Sequence, residues 1–267
     1  MILSMGPALL FCPADRPERF GKAAERADAV ILDLEDGVAP DAKAEARDHV
    51  AASGLDPERT IVRVNELGGK EAPSDLQAVL AAGYQTVMVP KAESPGAIGR
   101  IDPRLHVVAL CETPRGVAHA EAIAGLENVV ALMWGAEDLV AALGGTSSRT
   151  DRGEYRDIAR HARARVLLAA GIQGKSAIDA VHLDIADETG LAREAQDAAA
   201  SGFTATACIH PSQVPIVRDA YRPGPEAIAW ARAVLAAAEG ERGVFSFRGR
   251  MVDEPVLRHA RAVLSRA

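Results

Sequence analysis

The chain has 267 residues, 48% of them hydrophobic but only 4% aromatic, and a formal net charge of −7. That length fits one large α/β barrel or two smaller domains, and a core of Ala, Val, Leu and Ile suits a parallel sheet under Ala-rich helices. The acidic balance, without any basic block, argues against nucleic acid as the main partner; no secretory leader and no run of about 18 apolar residues is found, so the expectation is a cytoplasmic protein that does not enter a membrane. The three cysteines, Cys12, Cys111 and Cys208, lie far apart in apolar runs. They have neither zinc nor disulfide spacing and read as small buried hydrophobes in a reducing compartment.

Short apolar runs alternate along the chain with helix-length, Ala-rich segments. The predicted strands are Ala8–Cys12, Ala29–Leu34, Thr60–Val64, Thr86–Val89, Val107–Cys111, Val129–Trp134, Ala177–Leu183 and Thr204–Ile209. Helical patterns fall near Pro17–Arg26, Asp41–Ala52, Ser74–Ala82, Ser94–Arg100, Pro114–Ala124, Tyr155–Ala170 and Leu191–Ser201. Eight βα units in series predict a (β/α)8 TIM barrel over residues 1–222. A long doubly wound sheet is the competing architecture, disfavoured because no early Gly-rich dinucleotide turn is present. From Pro223 the pattern changes to a helix (Pro225–Glu239), an extended segment (Gly243–Met251) and a last helix (Glu254–Arg266). Residues 223–267 therefore read as a C-terminal helical arm, too short to be an independent domain.

Two predicted strands, Val107–Cys111 and Val129–Trp134, end in carboxylates: Glu112, and Glu137–Asp138 after a Gly-Ala turn. The helix between them makes the strands parallel, so these acids share the C-terminal end of the sheet. Oxygen ligands at neighbouring strand ends are what a hard cation such as Mg2+ takes, with substrate and water completing its shell. Glu112 and Asp138 are the candidate metal ligands, although each acid taken alone also reads as a helix cap or a solvated loop residue. The same rim receives Asp15 and Arg16, then Asp33, Glu35 and Asp36, then Arg63 and Asn65, then Lys91 and Glu93, with Arg115, His182, Asp184, His210, Ser212 and Gln213 beyond. Charged groups at one end of nearly every strand, and ordinary helix exits at the other, indicate an enzyme. Arg63 sits in an apolar run, so its charge must meet a carboxylate, either of the protein (Glu35 or Asp36) or of a substrate. Two polar loops, after Asn65 and over residues 144–153, fall where active-site lids belong. Asp253 is positioned to cap the last helix.

The motifs FCPADRPERF, VILDLEDGVAP, VRVN, VPKAES, CETPRG, MWGAEDL and IHPSQ together resemble the citrate lyase β-subunit-like branch of the HpcH/HpaI aldolase/citrate lyase superfamily. The likeness runs from about Leu9 to the MVDEPV segment. The resemblance implies a Mg2+-dependent carbon–carbon lyase on a (β/α)8 barrel, a homo-oligomer built as a trimer or a multiple of it. Its substrates would be 3-hydroxyacyl-CoA thioesters such as citryl-, citramalyl- or malyl-CoA, split into a 2-oxo acid and acetyl-CoA. Carried over by position, Glu112 and Asp138 would hold the metal and Arg63 would clamp the substrate carboxylate. Glu35 and Asp36 would form an acidic surround, backbone N–H groups at Gly135 and Ala136 would meet developing negative charge, and Arg16 and Lys91 would meet CoA phosphates. Asp253 would be the acid/base, reaching a neighbouring subunit's site, and the chain would act alone rather than in a larger complex. The alternatives are an aldolase on free 2-oxo-hydroxy acids and a non-catalytic barrel that binds a dicarboxylate or CoA.

Overall fold

The computed structural model describes residues 3, 5–241 and 243–267, which fall into two compact units, Met1–Val217 and Arg218–Ala267. In the first, eight parallel strands close into a barrel in sequence order: β1 (Ala8–Pro13), β2 (Ala29–Asp33), β3 (Thr60–Arg63), β4 (Thr86–Val89), β5 (His106–Cys111), β6 (Val129–Trp134), β7 (Ser176–Asp179) and β8 (Ala205–Cys208). Closure is direct, with Leu9 of β1 opposite Ala207 of β8. The strands are short, apolar and almost wholly buried, as expected when one face fills a barrel and helices cover the other. Alternate residues from all eight strands form the interior: Leu9, Ile31, Ile61, Met88, Leu110, Met133, Ile178 and Ala207 belong to one core cluster.

The helices that follow the strands are α1 (Phe20–Arg26), α2 (Lys43–Ala52), α3 (Ala72–Ala81), α4 (Pro95–Ile98), α5 (Pro114–Ala124), α6 (Ala136–Ala142), α7 (Asp157–Ile172), α8 (Glu188–Ser201) and α9 (Gln213–Tyr221). Their starts are written in the sequence. Ser94, Thr113 and Asp187 each accept a hydrogen bond from the backbone N–H three residues on, and a proline opens α4 and α5. α8 stops at Gly202, whose φ of 109° a side chain would resist.

Several expectations are corrected. The seventh strand was expected to reach Leu183 but ends at Asp179, which puts His182 and Asp184 in the loop beyond it. The apolar run continues past the strand because Val181 and Leu183 line the cavity at the barrel mouth rather than pairing with a neighbour. α6 and α9 follow strand ends as helices too short to show a clear apolar stripe in the sequence.

In the second unit, α10 (Pro225–Ala237) and α11 (Glu254–Leu264) enclose a small core of Ala231, Val234, Val252 and Ala260, flanked by Trp230, Phe245 and Phe247. The segment expected to be simply extended is an antiparallel hairpin, β9 (Phe245–Phe247) and β10 (Arg250–Val252). Its two-residue turn places Arg248 at φ 50° and Gly249 at φ 75°, the left-handed pair that a tight hairpin demands.

Candidate functional site

β5 and β6 lie side by side with Leu110 opposite Met133 and Cys111 opposite Trp134. The next residues therefore emerge together: Glu112 at one strand end, Gly135 and the first turn of α6 at the other. A cavity of about 370 Å³ opens there. Its lining includes the polar and backbone groups of Asp33, Arg63, Glu112, Gly135, Ala136, Glu137 and Asp138 and the apolar side chains of Phe11, Leu110, Met133, Val181, Leu183 and Ile209. The two candidate metal ligands thus face one space although a whole βα unit lies between them in the chain.

Glu112 is only 3% exposed, and its Oε1 accepts the Lys91 backbone N–H at 3.0 Å. Lys91 sits at φ 46°, a costly conformation for a residue with a side chain; that backbone geometry accompanies the aim of its N–H at Glu112. Burial, reinforced by the charge of Asp138, pushes the Glu112 carboxyl up to about 8, and the Lys91 N–H offsets this only in part. A divalent cation would remove that electrostatic conflict, and paired carboxylate oxygens are the donors Mg2+ prefers. Among the described residues no group of three or more His, Cys, Asp or Glu is arranged to hold an ion. Two carboxylates completed by substrate and water therefore fit this site better than an all-protein cage. Gly135 is required by crowding: a Cβ there would lie 2.9 Å from both the Cβ and Oε2 of Glu112. The N-cap of α6 is this glycine, which has no side chain to cap the helix's first N–H groups.

Arg63 ends β3 directly opposite Asp33 of β2. Its Nε and Nη2 donate to the two Asp33 carboxylate oxygens at 2.7 and 2.6 Å. The Glu35 carboxylate lies 3.0 Å from Nη1 as an ion pair, and the Phe11 ring lies under the guanidinium at 4.9 Å. Burial alone would lower the Arg63 pKa, but the hydrogen bonds and charge of Asp33 outweigh it and raise the pKa. Asp33 is fully satisfied, since it also accepts the Glu35 and Gly37 N–H groups at 2.9 and 2.8 Å. The expectation that Arg63 meets a protein carboxylate is met at Glu35; Asp33, which the sequence reading did not offer, is its second partner, and the alternative Asp36 is 67% exposed and lies 3.7 Å from Lys91. Sequence spacing could not choose among three nearby acids; the β2–β3 register does.

Of the other expected site residues, Glu35 is buried between Arg63 and the Lys91 amine, to which it is hydrogen-bonded. Burial raises its pKa, and the two cations pull it back. Arg16 is exposed and lies 3.7 Å from Asp15. Neither Glu35, Asp36, Lys91 nor Arg16 lines the cavity. Asn65 is taken up structurally, bonded to Asp75 and Lys43. His182 is held by Glu194 at 2.9 Å, and His210 by Ser212 at 2.8 Å. In the second unit Asp253 caps α11, its Oδ1 accepting the Val256 N–H at 3.3 Å. All three cysteines are buried thiols, and burial pushes Cys12 up to about 11 and Cys111 to about 12, away from reactivity.

Sequence reasoning missed the supports behind the cavity. The buried Trp134 indole donates to Asp179 at 2.6 Å, Asp179 is gripped by Arg163, and Tyr155 packs edge-on against Trp134 at 5.1 Å. Single aromatic and acidic residues on separate elements leave no local signal.

A family profile described as HpcH/HpaI aldolase/citrate lyase matches residues 8–211, the barrel itself. The chain belongs to this family. It is 58% identical over 262 residues to a citrate lyase subunit beta-like protein of Mycobacterium tuberculosis, covering 98% of this chain and 96% of that one. It is 32% identical over 294 residues to the mitochondrial citramalyl-CoA lyase of Mus musculus, covering 97% of this chain and 85% of the mouse protein. Among solved structures, protein CitE of M. tuberculosis in complex with magnesium, acetoacetate and coenzyme A superposes with a TM-score of 0.95 at 57% identity, covering 100% of this chain and 99% of that one. The expected (β/α)8 barrel and family are both borne out.

Proposed function

We propose that the protein is a magnesium-dependent carbon–carbon lyase that splits a 3-hydroxyacyl-CoA thioester into an oxo acid and acetyl-CoA, or runs the reverse condensation. The observation that carries this reading is the pair of strand-end carboxylates, Glu112 and Asp138, facing one cavity with Arg63 beside them. A family match over the barrel and relatives described as citrate lyase β-like and citramalyl-CoA lyase proteins support it. No described helix is long and apolar enough to cross a membrane, in keeping with a cytoplasmic enzyme.

Glu112 and Asp138 would hold a Mg2+ ion, which would supply Lewis-acid polarisation of the substrate oxygen. Arg63, kept in register by Asp33, turns its remaining N–H groups to the substrate carboxylate, a paired contact that a lysine cannot reproduce. The uncapped N–H groups at Gly135 and Ala136 meet negative charge as it develops beside them. When the C2–C3 bond breaks, the C3 hydroxyl proton passes to water and the bond's electron pair passes to the thioester as an enolate. Asp253 returns a proton to the acetyl carbon, and removes one from it in the condensation direction. Asp253 acts across a subunit boundary in a homotrimer, and Lys91 and Arg16 meet the CoA phosphates. The protein works alone, on free CoA thioesters.

The test is a panel of citryl-, citramalyl- and malyl-CoA with Mg2+, followed by identification of both products. Release of acetyl-CoA that stops in excess chelator is the expected result. Turnover of the free hydroxy acids alone would overturn the thioester reading.

A further inference from the structure

Asp33, Glu112, Glu137 and Asp138 line the cavity; Asp33 is taken by Arg63, and among the described residues the other three carboxylates do not assemble into a metal group. The reason is local. Glu137 and Asp138 are neighbours in the first turn of α6, and the Glu137 Oε1 is taken by the Ser148 hydroxyl, which donates to it at 2.5 Å. Ser148 is 1% exposed, at the end of a run in which residues 141–147 are all exposed. The chain dips inward at this one hydroxyl. Its position is fixed from behind, independently of the cavity. The Arg156 N–H donates to the Ser148 carbonyl at 2.8 Å. Arg149 bridges to Tyr155, covers its ring at 3.9 Å and is paired with Glu194.

We infer that Ser148 is a positioning residue that holds Glu137 away from the cation, so that the site keeps two protein carboxylates and favours Mg2+ over Ca2+. The inference rests on reading Glu112 and Asp138 as the ligands. Mg2+ is small, insists on six ligands and keeps several waters, whereas Ca2+ takes six to eight oxygens and gains from each added carboxylate. A freed Glu137 would bring a third negative group to the ion. It would displace water that the substrate must replace, and it would weaken the ion's pull on the substrate oxygen. A tied Glu137 avoids both.

The experiment measures Mg2+ and Ca2+ binding to the full-length protein by calorimetry, with the metal alone. It compares the unsubstituted protein, S148A, S148T, S148A/E137Q and the control S147A, whose exposed hydroxyl bonds only within the loop. In S148A the Ca2+-to-Mg2+ affinity ratio should rise by about fivefold or more as Glu137 joins the shell. S148T, which keeps the hydroxyl, and S147A should stay within about twofold of the unsubstituted protein, and S148A/E137Q should return there, because the coupling runs through Glu137. An unchanged ratio in S148A, a shift that survives the E137Q change, or an equal shift in S147A would each overturn the proposal. Should S148A fail to fold, S148C, of similar shape but a weak donor, takes its place in the same comparison. E112Q separates the two readings. If it binds Mg2+ as tightly as the unsubstituted protein, the ligand assignment fails; if it loses Mg2+ while S148A is unchanged, only the role of Ser148 falls.

Discussion

Replacing Glu112 by glutamine should stabilise the metal-free protein and abolish the stabilisation that Mg2+ gives. In the folded protein the Glu112 carboxyl is pushed from 4.5 to about 8 by burial and by Asp138. Below pH 4.5 the group is protonated in folded and unfolded chains alike and contributes nothing to pH dependence. Between pH 4.5 and 8 the unfolded chain ionises while the folded one holds its proton, so metal-free stability falls as pH rises; above 8 the penalty is complete. At about 1.4 kcal/mol per pK unit, that penalty is on the order of 5 kcal/mol. The glutamine amide keeps an oxygen for the Lys91 N–H and removes the charge, so E112Q in chelator at about pH 9 should be more stable than the unsubstituted protein by ~2–4 kcal/mol, after ~1 kcal/mol for an imperfectly partnered amide. In a protein of this size that is a rise in melting temperature of several degrees, about 2–4 °C per kcal/mol. With Mg2+ at about 100 times its dissociation constant the unsubstituted protein should gain ~2.7 kcal/mol and E112Q nearly nothing. The assay is thermal unfolding at about pH 6 and about pH 9, either side of the shifted value, in chelator and in Mg2+. Equal stabilisation of both proteins by Mg2+, or E112Q being no more stable than the parent in alkaline chelator, would refute the reasoning.

Substitutions at three further positions test the other proposed roles. Asp253→Asn keeps a good helix cap and loses the carboxylate, so turnover should fall by about a hundredfold or more with the melting temperature unchanged, whereas Asp253→Ala should also cost ~1 kcal/mol of stability; full activity in Asp253→Asn would rule out the acid/base role. Gly135→Ala drives a methyl group to 2.9 Å from Glu112 Cβ and Oε2, so the Mg2+ concentration for half-saturation should rise about tenfold, at a cost of ~1–3 kcal/mol from crowding; an unaltered Mg2+ titration would show that Glu112 does not need its observed place. Arg63→Ala strands the buried Asp33 and Glu35, and should cost ~3–5 kcal/mol in urea unfolding. Arg63→Lys should restore much of that stability but leave kcat/KM down by about a hundredfold, because one ammonium cannot hold Asp33 and a substrate carboxylate together; near-normal kcat/KM in Arg63→Lys would remove the clamp.

How far the sequence reached depends on whether the signal was local. The eight strands, their direction and several helix starts were legible, because burial on both strand faces writes continuous apolar runs and a proline such as Pro114 opens its helix, whereas the α8 start at Glu188 lies three residues before the expected Leu191. The same logic fixed which end of the barrel carries the polar groups: a residue that follows a parallel strand has one rim to emerge on. Glu112 and Asp138 were legible for that reason. The end of β7 was not, since Val181 and Leu183 are apolar to line a cavity and not to pair in a sheet.

By itself, then, the sequence determined the barrel and which end of it the polar groups occupy, Glu112 and Asp138 among them, because both follow from the pattern along one strand or helix. Only the tertiary structure decided who meets whom across elements. Interstrand register set Arg63 against Asp33 rather than Asp36; the turn after β4 brought the Lys91 N–H onto the Glu112 carboxylate; the return of the 144–156 loop brought Ser148 onto Glu137. Such partners are chosen by distances of a few ångströms between segments that the chain order leaves unrelated, and those distances exist only once the barrel has closed.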